Sequence, residues 1–127
     1  MGLPAAKLGD KIVAMDTHII ITPSGAPSPV TLPFNGTING NVSPNVMIEG
    51  KPAATVGSTA MNIPVHIPPG GSFSKPPMNM GTIQIGSATV MINGKPAARA
   101  GDTALTCNDP VDLPVGKVVA AGTVMIG

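Results

Sequence analysis

Three side chains in this sequence are equipped for metal binding or nucleophilic chemistry. They are His18, His66 and Cys107, the two histidines and the one cysteine of a 127-residue chain. Their spacing follows a pattern: His18 comes fourteen residues after Pro4, and His66 fourteen after Pro52, and each proline opens a Pro-Ala-Ala triplet. A third triplet opens at Pro96; fourteen residues on stands Pro110, with Cys107 three residues before it. If three such units pack around a pseudo-threefold axis, equivalent positions converge, and two imidazoles and one thiolate meet at a point. That donor set suits zinc, with bonds of roughly 2.0–2.3 Å. Thiolate with imidazole favours zinc over iron, which stays open as the alternative. Two histidines and a buried cysteine are common without a metal; the equal offsets are the argument for a site.

The offsets belong to a wider repeat, which sets the architecture. Residues 46–60 and 90–104 are identical at eleven of fifteen positions, at a fixed offset of 44. A worn copy, Pro4-Ala5-Ala6-Lys7-Leu8-Gly9-Asp10, stands near the start, and Thr123-Val124-Met125-Ile126-Gly127 is a fragment of another. We read one domain, residues 1–127, of three units spanning about 1–35, 36–80 and 81–127.

The run Pro96 to Asp102, Pro-Ala-Ala-Arg followed by Gly-Asp, resembles the signature of the PAAR-repeat proteins. These form the sharpened tip of contractile injection machines such as type VI secretion systems, extracellular injection particles and phage-like tails. Recurrence in register over nearly the whole chain makes the likeness far more specific than one four-residue match, and the long arms bring it nearest to the PAAR-like branch. The resemblance implies a metal at the tip held by three histidines and one cysteine. This sequence has no third histidine, so its fourth position falls to water, to Asp109 or to nothing. It also implies a partner, a trimeric spike protein of the valine-glycine-repeat or phage type, capped by one chain per trimer. Any effector or toxin is expected as a separate chain. Synthesis in a bacterial cytoplasm, assembly into the particle and delivery to a target cell follow from the same likeness, the target membrane being pierced rather than stably bound.

Composition narrows the remaining classes. Charged residues are 10% and the net charge is +1, so no basic stripe exists to displace counterions from phosphates, and nucleic-acid binding is not expected. So sparsely charged a surface is expected to be partly covered by a partner. With 2% aromatics and neither Trp nor Tyr, burial must come from Val, Ile, Met and Ala in thin layers. Gly and Pro number 16 and 15, close to the level of disordered chains, but a disordered chain has no reason to keep a repeat in register. Lys7 and Asp10 interrupt any secretory signal, and no window approaches the roughly 18 apolar residues of a membrane helix. Ala6 stands where Met1-Gly2 would need Ser or Thr for myristoylation. A single cysteine forms no internal disulfide, in keeping with a reducing compartment. The triplets Asn35-Gly36-Thr37 and Asn41-Val42-Ser43 are chance glycosylation matches in an Asn/Gly-rich chain.

The elements that must position the three donors are strands. The β-branched run after His18 is a strand signal. Asn45 to Ile48 and Thr89 to Ile92 alternate, with Val90 and Ile92 on one face and Met91 on the other. Asn93-Gly94 is a strong hairpin turn, and Gly86-Ser87 suits a type II′ turn joining Thr82–Ile85 to Thr89–Ile92. Val118–Ala120 and Thr123–Ile126 are the final strands. Residues 22–35 and 62–80 are too rich in proline for helix or a central strand and are expected as extended arms or loops. The expected fold is all-β: a compact conical, pseudo-threefold β-structure with long arms, the small alanines letting three copies approach an axis.

An enzymatic reading uses the same donors with an open fourth site and a metal-bound water as nucleophile. Asp16, Asp109 and Asp112 are the nearby candidates for a base, yet no Glu accompanies a metal motif and aromatics to line a pocket are missing. The sequence therefore reads as a non-enzyme. A cargo adaptor or adhesin at the particle tip is the alternative, and a zinc-dependent hydrolase the weaker one.

Overall fold

A computed structural model describes residues 2–109 and 111–127. Met1 and Pro110, the latter at the histidine-equivalent position, lie outside the described residues.

The three Pro-Ala-Ala triplets form a closed ring of hydrogen bonds. Ala6 N–H donates to Ala98 O at 2.9 Å, Ala98 N–H to Ala54 O at 3.0 Å, and Ala54 N–H to Ala6 O at 3.0 Å. A second ring runs in the opposite sense, from Leu8 N–H to Pro52 O, from Val56 N–H to Pro96 O and from Ala100 N–H to Pro4 O. Ala6, Ala54 and Ala98, the last residue of each triplet, are wholly buried, because only a methyl fits where three backbones come this close. Each triplet ends in the same turn, in which a side chain accepts from the backbone three residues earlier. Asp10 accepts from Lys7 N–H, Ser58 from Thr55 N–H and Asp102 from Arg99 N–H, at 3.0, 2.9 and 2.7 Å.

Outside the ring sit three short hairpins. β4 (Met47–Ile48) pairs with β5 (Lys51–Pro52), and β9 (Met91–Ile92) with β10 (Lys95–Pro96). Their turns are of type I′, with φ of 52° and 82° at Glu49-Gly50 and 53° and 80° at Asn93-Gly94. The third hairpin is assembled from the two ends of the chain, β1 (Leu3–Pro4) pairing with β13 (Met125–Ile126). The inward residues Ile48, Ile92 and Ile126 pack with Ala5, Ala53 and Ala97 in a small core of their own.

After each turn the chain rises into one closed antiparallel barrel of six strands. These are β2 (Lys11–Ile21), β3 (Pro27–Gly40), β6 (Thr59–Asn62), β8 (Met80–Ile83), β11 (Thr103–Thr106) and β12 (Leu113–Val119), with β12 pairing back onto β2. The short β7 (Ser72–Phe73) extends the far end of β2. Closure removes the free edges of an open sheet. The fold is all-β, with no helix among the described residues, and therefore none long and apolar enough to cross a membrane.

Three sequence expectations change. Residues 27–35 of the first arm are strand, paired residue by residue with β2 from Pro27↔Ile21 to Asn35↔Val13. The prolines are tolerated because β6 pairs with β3 only from Gly36 onward. Pro27, Pro29 and Pro33 share strand parity with Asn35, whose N–H turns away from β2 to Asn62 Oδ1, so their missing donors fall on the open edge. The Thr82–Ile85 to Thr89–Ile92 hairpin does not form; β8 joins the barrel between β6 and β11, and β9 turns to β10 instead. Methionine does not build the core: Met15, Met47, Met61, Met78, Met91 and Met125 are all exposed. Space in the barrel goes instead to Phe34, its largest fully buried side chain.

Phe34 fits because glycine faces it. A Cβ at Gly36 would lie 2.6 Å from Phe34 Cε1 and 3.0 Å from Ala60 Cβ, and one at Gly81 would lie 3.2 Å from Phe34 Cζ. Gly36→Ala is accordingly expected to destabilise the protein by about 1–3 kcal/mol through overpacking. A urea midpoint equal to wild type would show that the ring has room to move aside.

Candidate metal centre

Along β2 the buried residues are Ile12, Asp16, His18 and Ile20, the inward set of a strand with period two. His18 stands seven residues along this strand from Lys11, roughly 23 Å at the rise of a strand, so the site lies well away from the alanine ring. Cys107 directly follows β11, and His66 comes from the irregular stretch between β6 and β8. That stretch is held by Asn79, which adopts a φ of 56° and accepts from His66 N–H at 2.8 Å and from the Asn62 amide at 3.0 Å through Oδ1.

The structure brings His18, His66 and Cys107 together with Asp16, their donor atoms all within 4.8 Å of one another. The His18 and His66 rings are edge to face, 5.0 Å between centroids. His66 Nε2 lies 3.0 Å from Asp16 Oδ2, and the Cys107 thiol donates to the same oxygen at 3.4 Å. Exposure is 0% for Asp16, 1% for His18, 3% for Cys107 and 7% for His66, so the cluster is screened from water. Asp109, offered by the sequence as a fourth ligand, is not among the four; its Oδ2 accepts from Ile19 N–H at 3.3 Å.

Sequence reasoning named Asp16 only as a candidate base and passed it over as a member of the donor cluster. Its signal was parity: Ile12, Ala14, Asp16, His18 and Ile20 alternate, which puts an acid on the inward face where it must find partners.

Burial sets the electrostatics. It lowers the His18 pKa below 6.5, helped by the neighbouring His66 and opposed by Asp16. It pushes the Cys107 thiol up to about 11, with the Asp16 charge adding to the effect. Both groups thus favour their neutral forms, and both ring nitrogens of His18 are buried without a hydrogen-bond partner. Buried polar atoms are rarely left so. An unpartnered imidazole beside a thiol and a carboxylate fits a divalent cation, which reverses this logic by holding the thiolate directly. The donor types are compatible with zinc.

Beside the cluster, an apolar groove of about 460 Å³ runs between Leu32–Pro33 and Ile63–Ile67, and of the four donor residues only His66 borders it.

A closed ring of three Pro-Ala-Ala turns beneath a closed barrel is the structural setting of the repeated motif. Over residues 33–112, more than half of the chain, the sequence matches the PAAR motif family, and the chain belongs to that family. No curated protein matches it. PAAR proteins sit at the spike tip of contractile injection systems, and the match supports that role for this chain in general terms.

Proposed function

We propose that this protein caps a trimeric β-helical spike, one chain per trimer, and sharpens it for penetration of a target envelope. The observation that carries the reading is the cyclic ring of alanine hydrogen bonds, by which one polypeptide presents three like faces to a partner with threefold symmetry. At equivalent places on the three hairpins stand Met47, Met91 and Met125, 57%, 57% and 56% exposed. Three matching apolar side chains beside short open-edged hairpins suit strand addition onto three equivalent chains.

The work is mechanical. Sheath contraction supplies the force, and a stiff closed barrel concentrates it on a small area. His18, His66 and Cys107 would hold the metal, whose chemistry is to cross-link strand β2, the arm and the end of β11 where few side chains remain to form a core. Zinc is the favoured occupant. The particle is assembled from chains made in the bacterial cytoplasm, then delivered outward. Catalysis has little support: the donors are buried, and the adjoining groove carries no acid or base besides His66. That groove, with Ile63, Val65 and Ile67 at 65%, 57% and 70% exposure, is what favours a second role in carrying an effector.

Co-expression with a cognate spike protein tests the reading. A stable complex of one chain per three spike chains is expected by mass measurement, and Met47→Glu, Met91→Glu and Met125→Glu combined should abolish it while leaving the circular dichroism spectrum intact. Any other stoichiometry, or assembly indifferent to the three charges, would count against the cap.

A further inference from the structure

We infer that Asp16 is the fourth ligand of the metal centre, through Oδ2, and that Thr106 and Asn108 position it by holding Oδ1. The inference rests on the metal-centre reading above and assigns the place that the missing third histidine leaves open.

The two carboxylate oxygens have separate tasks. Oδ1 accepts from Thr106 Oγ1 at 2.5 Å and from Asn108 Nδ2 at 3.4 Å. Asn108 Nδ2 also donates to Thr106 O at 3.1 Å, which ties the two positioning side chains into one unit at the end of β11. Oδ2 faces the other donors, 3.0 Å from His66 Nε2 and 3.4 Å from Cys107 Sγ. A tetrahedral zinc site with bonds of roughly 2.0–2.3 Å has edges of roughly 3.3–3.5 Å between ligand atoms. Two edges of such a polyhedron are therefore already near their final length, and both meet at Asp16.

Charge supports the same assignment. Asp16 is wholly buried, and its partners Thr106, Asn108, Cys107 and His66 include no permanent cation. A buried carboxylate needs compensation. One carboxylate and one thiolate neutralise a divalent ion in full, whereas three imidazoles and one thiolate leave a net positive charge in the interior. His18, with both ring nitrogens unpartnered, completes the set.

Cobalt(II) titration of the chelator-treated full chain tests this, with affinity read by competition and coordination read from the ligand-field and thiolate charge-transfer absorption. Wild type should take one ion in tetrahedral geometry. Asp16→Asn should bind at least 100-fold more weakly with an altered ligand-field band, and Thr106→Val about 10–100-fold more weakly with the thiolate band kept. Asp109→Asn should match wild type. If wild type takes no cobalt, the metal-centre reading fails and the assignment with it. If wild type binds and Asp16→Asn binds with equal affinity and an identical spectrum, the centre stands and the assignment alone is overturned. Should Asp16→Asn lose its fold by circular dichroism, Thr106→Val decides: an affinity equal to wild type overturns the positioning role and the assignment.

Discussion

Cys107→Ala is expected to reduce bound zinc from about one ion per chain to a trace. The cysteine supplies the one soft donor of the cluster, with its sulfur 3.4 Å from Asp16 Oδ2 and its side chain in the barrel core. Removing it leaves at most three protein ligands and deletes the anionic thiolate that offsets the ion's charge. Cys107 shares its core with the alanine ring and Phe34, and those residues remain packed without the sulfur, so the variant should still fold. Its melting temperature should fall by on the order of 10 °C or more, as expected when a ligand held far above its dissociation constant is lost. Chelation of wild type should give a similar drop, and Cys107→Ala with chelator little more. Loading also depends on pH. Protons compete for His18, His66 and the thiolate, so zinc content should fall on acidification. In the chelated protein His18 has a lowered pKa in the folded state. Its contribution to stability is thus present above 6.5 and lost as pH falls below that value, where the unfolded chain takes up the proton more readily. Elemental analysis and thermal melts decide the matter. Wild type free of zinc and iron, and unmoved by added zinc, would rule out a metal centre.

The second large effect is expected at the alanine ring. Ala98→Leu places three more carbons on an axis where Ala6, Ala54 and Ala98 are each 0% exposed and joined by hydrogen bonds of 2.9–3.0 Å. Overpacking of an ordinary core costs about 1–3 kcal/mol, sometimes more. Here the added bulk presses on all three repeats at once, and none can retreat without breaking its link to the next. Loss of about 3 kcal/mol or more is expected, a large share of the 5–15 kcal/mol typical of a domain. The combined Ala54→Leu and Ala98→Leu change should not be additive, since both act on the same small space. Ala121→Leu, at an exposed position, is the control and should stay within about 0.5 kcal/mol of wild type. Equal urea midpoints for Ala98→Leu and wild type would mean that the triplets are not close-packed around a shared axis.

Much of this architecture was legible locally. Asn93-Gly94 reads as a type I′ turn because both residues reach positive φ, and they do. The alternation of Val90, Met91 and Ile92 reads as a strand with Met91 on the face opposite Ile92, and the structure buries Ile92 and exposes Met91. Proline counting misled for residues 27–35, because what matters is the parity of the prolines against an open edge rather than their number. Methionine was read as core because aromatics are so few, whereas the barrel takes Phe34 beside glycines and leaves the flexible thioethers outside.

By itself, the sequence determined what recurs at a fixed offset: three alanine turns, the hairpins at Glu49-Gly50 and Asn93-Gly94 and the all-β character, each set by local backbone preference within a few residues. Only the tertiary structure decided which groups meet. The pairing of β12 back onto β2, and of Leu3–Pro4 with Met125–Ile126, fixes the register of strands far apart in the chain. That register puts Asp16 beside His66 and Cys107, residues 50 and 91 positions away. Periodicity tells which face a side chain takes, but the neighbour across the barrel is chosen by closure, and closure is a property of the whole chain.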